Sequence, residues 1–178
     1  MVRPLIPPRP PSAHKGTFGH AGIVGGSPGK TGAPAMAGLG ALRIGTGLVT
    51  VAAPQSVSPI LESKLLEVMT EPMPESSQHL LGMEAYPALL AFAATKSALA
   101  FGPGMGISPE TSEVLRHLLP QLEVPCVLDA DALNGLAEHC QIFSSMKQPP
   151  ILTPHPGEMA RLLAPSSPKQ VNEDRIGV

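Results

Sequence analysis

Ile151-Leu152-Thr153-Pro154-His155-Pro156-Gly157-Glu158-Met159-Ala160-Arg161-Leu162-Leu163 passes through three conformational states in one short stretch. The apolar pair Ile151-Leu152 predicts the end of a strand. Thr153 to Pro156 predicts a stiff polar corner, and Met159, Leu162 and Leu163 fall at helical spacing. The prolines fix the backbone around His155, Gly157 permits close approach by a ligand or a neighbouring chain segment, and Glu158 places its charge in the first helical turn, where it suits the helix dipole. A strand feeding straight into a helix is the repeating step of a parallel α/β sheet. Such sheets hold their ligands at the strand C-terminal ends, so His155 reads as a ligand-binding residue ahead of a structural one.

Three more junctions have the same form. Ala98 to Phe101 runs into Gly102-Pro103-Gly104-Met105-Gly106, with a helix start at Ser108-Pro109-Glu110; a glycine-rich turn there would offer backbone N–H groups to an anion. Cys126-Val127-Leu128 leads into Asp129-Ala130-Asp131-Ala132-Leu133-Asn134, with one carboxylate at the strand end and another at or near a helix N-cap. Ile23-Val24 leads into Gly25-Gly26-Ser27 and Thr31-Gly32-Ala33, then an alanine- and glycine-rich helix from Pro34 to about Ile44. Each motif alone is weak. Parallel topology would bring all four corners to one edge of the sheet and so to one cleft.

Strand patterns are predicted at 20–24, 48–53, 67–71, 97–101, 125–129 and 150–153, with helices between most of them and a polar loop over 72–78. The expected fold is therefore α/β: a three-layer, mostly parallel sheet flanked by helices. Residues 1–13 are rich in proline and read as an extended arm, and 14–178 read as one domain. The helix from Pro34 is almost wholly small or apolar, which predicts burial against the sheet on one side and a further layer or a second subunit on the other. Near the end, Ser167 and Pro168 predict another helix start, with Val171, Arg175 and Val178 on one face; the pattern reads as an α/β domain cut before its next strand.

A net charge of -2 and 3% aromatic residues provide neither the basic face nor the stacking platforms of a nucleic-acid binder. Cys126 and Cys140 form no CxxC pair, which suits a reducing cytoplasm. The six histidines show no metal-binding spacing. The longest apolar run, Ala88 to Ala94, is too short to span a bilayer, so no membrane partner is expected.

At the level of motifs the chain resembles the ADP- or ATP-dependent NAD(P)H-hydrate dehydratases, which have the ribokinase-like fold. The resemblance is carried by HKGTFGHAGIVGGSPGKTGAPAMAGLGALRIGTGLVTVAAP from His14 to Pro54, FGPGMG from Phe101, LDADALN from Leu128 and ILTPHPGEMARLL from Ile151. It implies a cytoplasmic repair enzyme that dehydrates hydrated NADH or NADPH, with ADP or ATP as co-substrate and Mg2+ in attendance. Nucleotide hydrolysis would convert the ring hydroxyl to a phosphate leaving group. Carried over by motif, Ala33, Gly104 and His155 would contact the hydrated dinucleotide, with Gly106 a weaker addition from the same loop. Asp131 and Asn134 would shape the site, helix capping being an equal alternative for them.

Family members continue with a lysine-glycine strand end and a glycine-rich segment ending in a Gly-Asp pair whose carboxylate acts in catalysis. Neither is in this sequence, so the resemblance assigns no catalytic residue here and implies that residues 1–178 alone are inactive. Many bacterial relatives also carry an epimerase domain ahead of this one. Two other readings stand beside the dehydratase: a non-catalytic dinucleotide-binding module or fragment, and a ribokinase-like small-molecule kinase. The combination of TPHPGE with HKG and TGA speaks against the kinase.

Overall fold

The alternation of short apolar runs with helical patterns produces six parallel strands in a computed structural model, which describes residues 8–163 and 167–173. In chain order the elements are β1 (His20–Val24), α1 (Gly32–Ile44), β2 (Leu48–Pro54), α2 (Ser58–Lys64), β3 (Met69–Met73), α3 (Tyr86–Ala94) and β4 (Ala98–Phe101). They continue with α4 (Pro109–Leu118), β5 (Cys126–Leu128), α5 (Ala130–Leu136), β6 (Ile151–Leu152), α6 (Pro156–Leu162) and α7 (Pro168–Glu173). A 3-10 stretch, Ala137–Ser145, follows α5.

The sheet order is β3-β2-β1-β4-β5-β6, and every pairing is parallel. Because successive strand residues point to opposite faces, neighbours in sequence feed two separate cores. Val24, Ala52, Met73, Phe101 and Leu128 pack with α3, α4 and α5. Ile23, Val49, Val51 and Ala53 pack with α1 and α2 on the other face. The expected three-layer α/β architecture is thus present, with helices on both sides of the sheet.

Two expectations change. The third strand lies at Met69–Met73 rather than 67–71, and Pro72, read as the start of a loop, pairs with Ala53. β3 is the outermost strand, where a proline without an N–H is tolerated. α1 buries Pro34, Ala35 and Gly38. Its outer side leaves Met36 and Ile44 72% and 62% exposed, so nothing among the described residues covers that face. The predicted start at Ser167-Pro168 opens α7, where the Ser167 hydroxyl accepts a hydrogen bond from the Gln170 amide at 3.3 Å. Arg175 and Val178, and the arm prolines Pro4 and Pro7, lie outside the described residues.

At the N-terminal end of the sheet Lys96 is only 7% exposed. Its ammonium lies 3.8 Å from the centre of the Phe92 ring and donates to Thr95 Oγ1 at 2.7 Å. The neighbouring His20 Nε2 stands 2.8 Å from Thr50 Oγ1. Burial lowers the pKa of Lys96, partly offset by Glu71. Burial and then the Lys96 charge lower that of His20 from its ordinary 6.5, again against Glu71. A histidine held below its unfolded pKa contributes stability above pH 6.5, and this is lost as pH falls through the folded value. Lys96→Met keeps the apolar stem and removes the buried charge. The variant is expected to be more stable by about 1 kcal/mol and to lose less of that stability on acidification below pH 6.5. Thermal melts across pH 5–8 check this; a lower melting temperature at neutral pH would mean that the Phe92 and Thr95 contacts outweigh the desolvation cost.

Candidate functional site

The strand order reverses between β1 and β4. The chain leaves β1 for β2 and β3 on one side and returns to build β4, β5 and β6 on the other, so the loops after β1 and β4 diverge and open a crevice at the C-terminal edge. Gly25 to Thr31 and Gly102 to Gly106 flank it. The two loops are stitched together by the Gly26 amide donating to the Pro103 carbonyl at 3.0 Å and the buried Ser27 hydroxyl donating to the Gly104 carbonyl at 2.8 Å.

Gly104 has a φ of +62°, and a Cβ there would stand 2.5 Å from the Lys30 carbonyl oxygen and 3.3 Å from Ala33 Cβ. Two sequence-predicted contact residues, Ala33 and Gly104, therefore meet across the crevice with no room for a side chain between them. Gly106 joins them through Asp131: one carboxylate oxygen, Oδ2, accepts from the Gly106 amide at 2.8 Å and from the Lys30 ammonium at 3.1 Å. A single side chain on α5 thus ties the β1 loop to the β4 loop.

Neither aspartate of the DADALN corner caps α5. Asp129 sits at the N-cap without a side-chain capping bond, and its Oδ1 accepts from Thr153 Oγ1 at 2.8 Å, joining the β5 and β6 corners. Between the two acids Ala130 is held at a φ of +47°. A left-handed alanine costs of order 1 kcal/mol or more, and such strain collects at binding corners.

His155 occupies the N-cap of α6. Its Nδ1 accepts from the Gly157 and Glu158 amides at 3.0 and 3.3 Å. The ring proton consequently resides on Nε2, which faces Glu158 Oε1 at 3.1 Å. Glu158 is 5% exposed, and its other oxygen accepts from the His155 amide at 2.9 Å. Gly157 is where the sequence expects close approach, and what approaches is the imidazole itself: a Cβ there would be 2.8 Å from the His155 ring. The ring remains open to solvent, with 63% of the side chain exposed. Asn134 faces away from the Ala33–Gly104 pair. Its Oδ1 accepts from Arg161 Nη1 at 2.6 Å, and both residues line a separate groove of about 790 Å³ between α4, α5 and α6.

Sequence reasoning missed three supports of the crevice. Lys64, at the end of α2, donates to Thr31 Oγ1 at 2.9 Å and fixes the start of α1. In the loop after β3, Glu75 accepts from the Ser56 amide at 3.0 Å and pairs with His79 at 2.7 Å. Burial pushes the Glu75 pKa up, but the hydrogen bonds from His79 and Ser56 outweigh it and hold the group below the usual carboxylate value. That brace sets Leu80 against Gly106, where a Cβ would lie 2.6 Å from the Leu80 side chain. The third support is the Lys30–Asp131 pair. None has a local sequence signal, because each joins residues far apart in the chain.

The described residues contain no group of three His, Cys, Asp or Glu side chains placed to hold a metal ion, and no helix long and apolar enough to cross a membrane.

Known proteins resemble this chain over nearly its whole length. The bifunctional NAD(P)H-hydrate repair enzyme Nnr of Moorella thermoacetica is 45% identical over 176 residues, covering 99% of this chain and 33% of that protein. The ATP-dependent (S)-NAD(P)H-hydrate dehydratase of Mus musculus is 33% identical over 178 residues, covering 97% of this chain and 50% of its own length. Among solved structures, the ADP/ATP-dependent NAD(P)H-hydrate dehydratase of Bacillus subtilis, co-crystallised with ATP/Mg2+, superposes with a TM-score of 0.73 at 28% identity, covering 99% of this chain and 58% of that one. The chain thus spans about a third of the length of the bifunctional relatives it matches. The family model described as NAD(P)H-hydrate dehydratase matches residues 21–177, and the chain belongs to that family.

Proposed function

We propose that this chain forms the hydrated-dinucleotide side of a nucleotide-dependent dehydratase that returns hydrated NADH or NADPH to the reduced cofactor. The observation that carries the reading is the crevice at the β1/β4 reversal, where half-buried Ala33 and buried Gly104 bring the two loops to close quarters and Asp131 holds them together. In this proposal Ala33, Gly104 and Gly106 admit the flat, polar body of the substrate. His155 presents its ring edge from the neighbouring corner, and Lys30 stands as a cation 53% exposed at the crevice mouth.

ADP or ATP would act as co-substrate, donating its terminal phosphoryl group to the ring hydroxyl, which gives up its proton; phosphate then departs with the C–O electrons as the neighbouring ring carbon loses a proton and the ring double bond forms. Among the described residues no three His, Cys, Asp or Glu side chains gather to hold a metal ion, so Mg2+ would be carried mainly by the phosphates of the nucleotide. Fusion to an epimerase domain, and self-association through the outer face of α1, belong to the same proposal for the whole protein. A cytoplasmic location does too. The alternative of a dinucleotide-binding module shares the crevice and differs only in lacking turnover.

The test is binding. Hydrated NADPH is expected to raise the melting temperature of the chain and to protect it from proteolysis in a saturable way. Ala33→Leu, which puts a larger side chain at this half-buried position of the crevice, is expected to abolish both effects while the unliganded protein still melts cooperatively. Undiminished protection in Ala33→Leu would remove this crevice from the proposal.

A further inference from the structure

We propose that the groove between α4, α5 and α6 is a second binding site, separate from the crevice, which takes an oxyanion-bearing molecule of about nucleotide size through Arg116 and Arg161. Its volume of about 790 Å³ falls among those of small-molecule sites. Ser108, Ser112 and Arg116 recur every four residues and so share the face of α4 that forms one wall. Asn134 and His139 line the opposite wall, and Arg161 enters from α6. None of Ala33, Gly104, Gly106 and His155 lines the groove.

Both arginines are set up for an anion. Arg161 is oriented by its 2.6 Å bond to Asn134 Oδ1, which engages one nitrogen of a five-donor fork. Among the described residues Arg116 Nε is shut off from solvent and has no hydrogen-bond partner. A buried donor left unpaired is costly, and native structures rarely keep one without use. Among the described residues neither guanidinium has a carboxylate within 4.0 Å. Among the described residues the only acid in the lining is Glu138, which is exposed, so two fixed positive charges face one solvated negative charge. Guanidinium forks match the planar or tetrahedral oxygens of carboxylates and phosphates. The apolar remainder of the lining, including Ile107, Pro109 and Ala137, suits the body that carries such a group.

The experiment titrates the chain with inorganic pyrophosphate and, separately, with citrate, each at ionic strength matched with potassium chloride, followed by calorimetry and thermal melting. Saturable binding is expected for at least one probe. Pyrophosphate alone identifies a phosphate-bearing ligand, citrate alone a carboxylate-bearing one, and both a general oxyanion site. Arg116→Gln and Arg161→Gln are each expected to weaken binding by about tenfold or more, whereas Ala33→Leu leaves it unchanged. Arg161 belongs to a different element, so its variant carries the test should Arg116→Gln fail to fold. Absence of saturable binding by either probe overturns the proposal, as does equal binding by a variant lacking both arginines. Neither result bears on the crevice, which is probed by hydrated NADPH.

Discussion

Gly104→Ala is expected to destabilise the chain by about 3 kcal/mol, a fall of roughly 6–12 °C in melting temperature, and to abolish binding of hydrated NADPH. Two effects combine. The backbone at +62° disfavours any side chain, and the added methyl would meet the Lys30 carbonyl at 2.5 Å, a backbone atom that cannot rotate away. The Lys30 loop is itself pinned by Lys30 to Asp131, and the adjacent Ser27 donates to the Gly104 carbonyl, so relief of the clash breaks bonds on both sides of the crevice. Thermal melting and a binding titration on one preparation measure the two consequences. A loss below about 1 kcal/mol would show that the loops part freely, and the crevice would then not be the preformed surface described above.

The strands and corners that build this crevice were legible because their signals are local. Short apolar runs ending in Gly25-Gly26, Gly102-Pro103 and Thr153-Pro154 mark β1, β4 and β6, and parallel topology gathers their ends. Ser108 as the cap of α4 was readable for the same reason: the Thr111 amide it accepts, at 3.0 Å, is three residues away. The limits follow from the same physics. Pro72 looks like a breaker until its strand is known to lie at the edge of the sheet, which depends on the whole strand order. Asp131 and Lys30 are 101 residues apart, so the sequence offered the aspartate as a cap and gave no hint of the clamp. Asn134 lies one turn beyond Asp131 and so on nearly the same face of α5, yet it is engaged by Arg161 of α6, a tertiary contact that no local pattern signals. Glu158 reads as a charge suited to a helix start, whereas its burial arises from packing around the His155 ring.

That packing gives His155 two roles, and they make separable predictions. His155→Ala removes the acceptor for two amides at the start of α6 and one partner of the buried Glu158 carboxylate, so it is expected to cost about 1–2 kcal/mol of stability. It also removes the ring edge, and affinity for hydrated NADPH is expected to fall by about tenfold to a hundredfold, as for one hydrogen bond to a polar or charged group. Asparagine is among the best N-cap residues and can accept from the same two amides, but its shorter side chain does not reproduce the exposed edge of the imidazole. His155→Asn is therefore expected to regain most of the stability lost in His155→Ala and little of the binding. Melting curves and titrations on the three proteins decide between the roles. Recovery of both properties in His155→Asn would show that the histidine serves only to cap α6; recovery of stability alone leaves the imidazole edge as a contact for the ligand, since the cap and the fold would then be intact while the affinity was not.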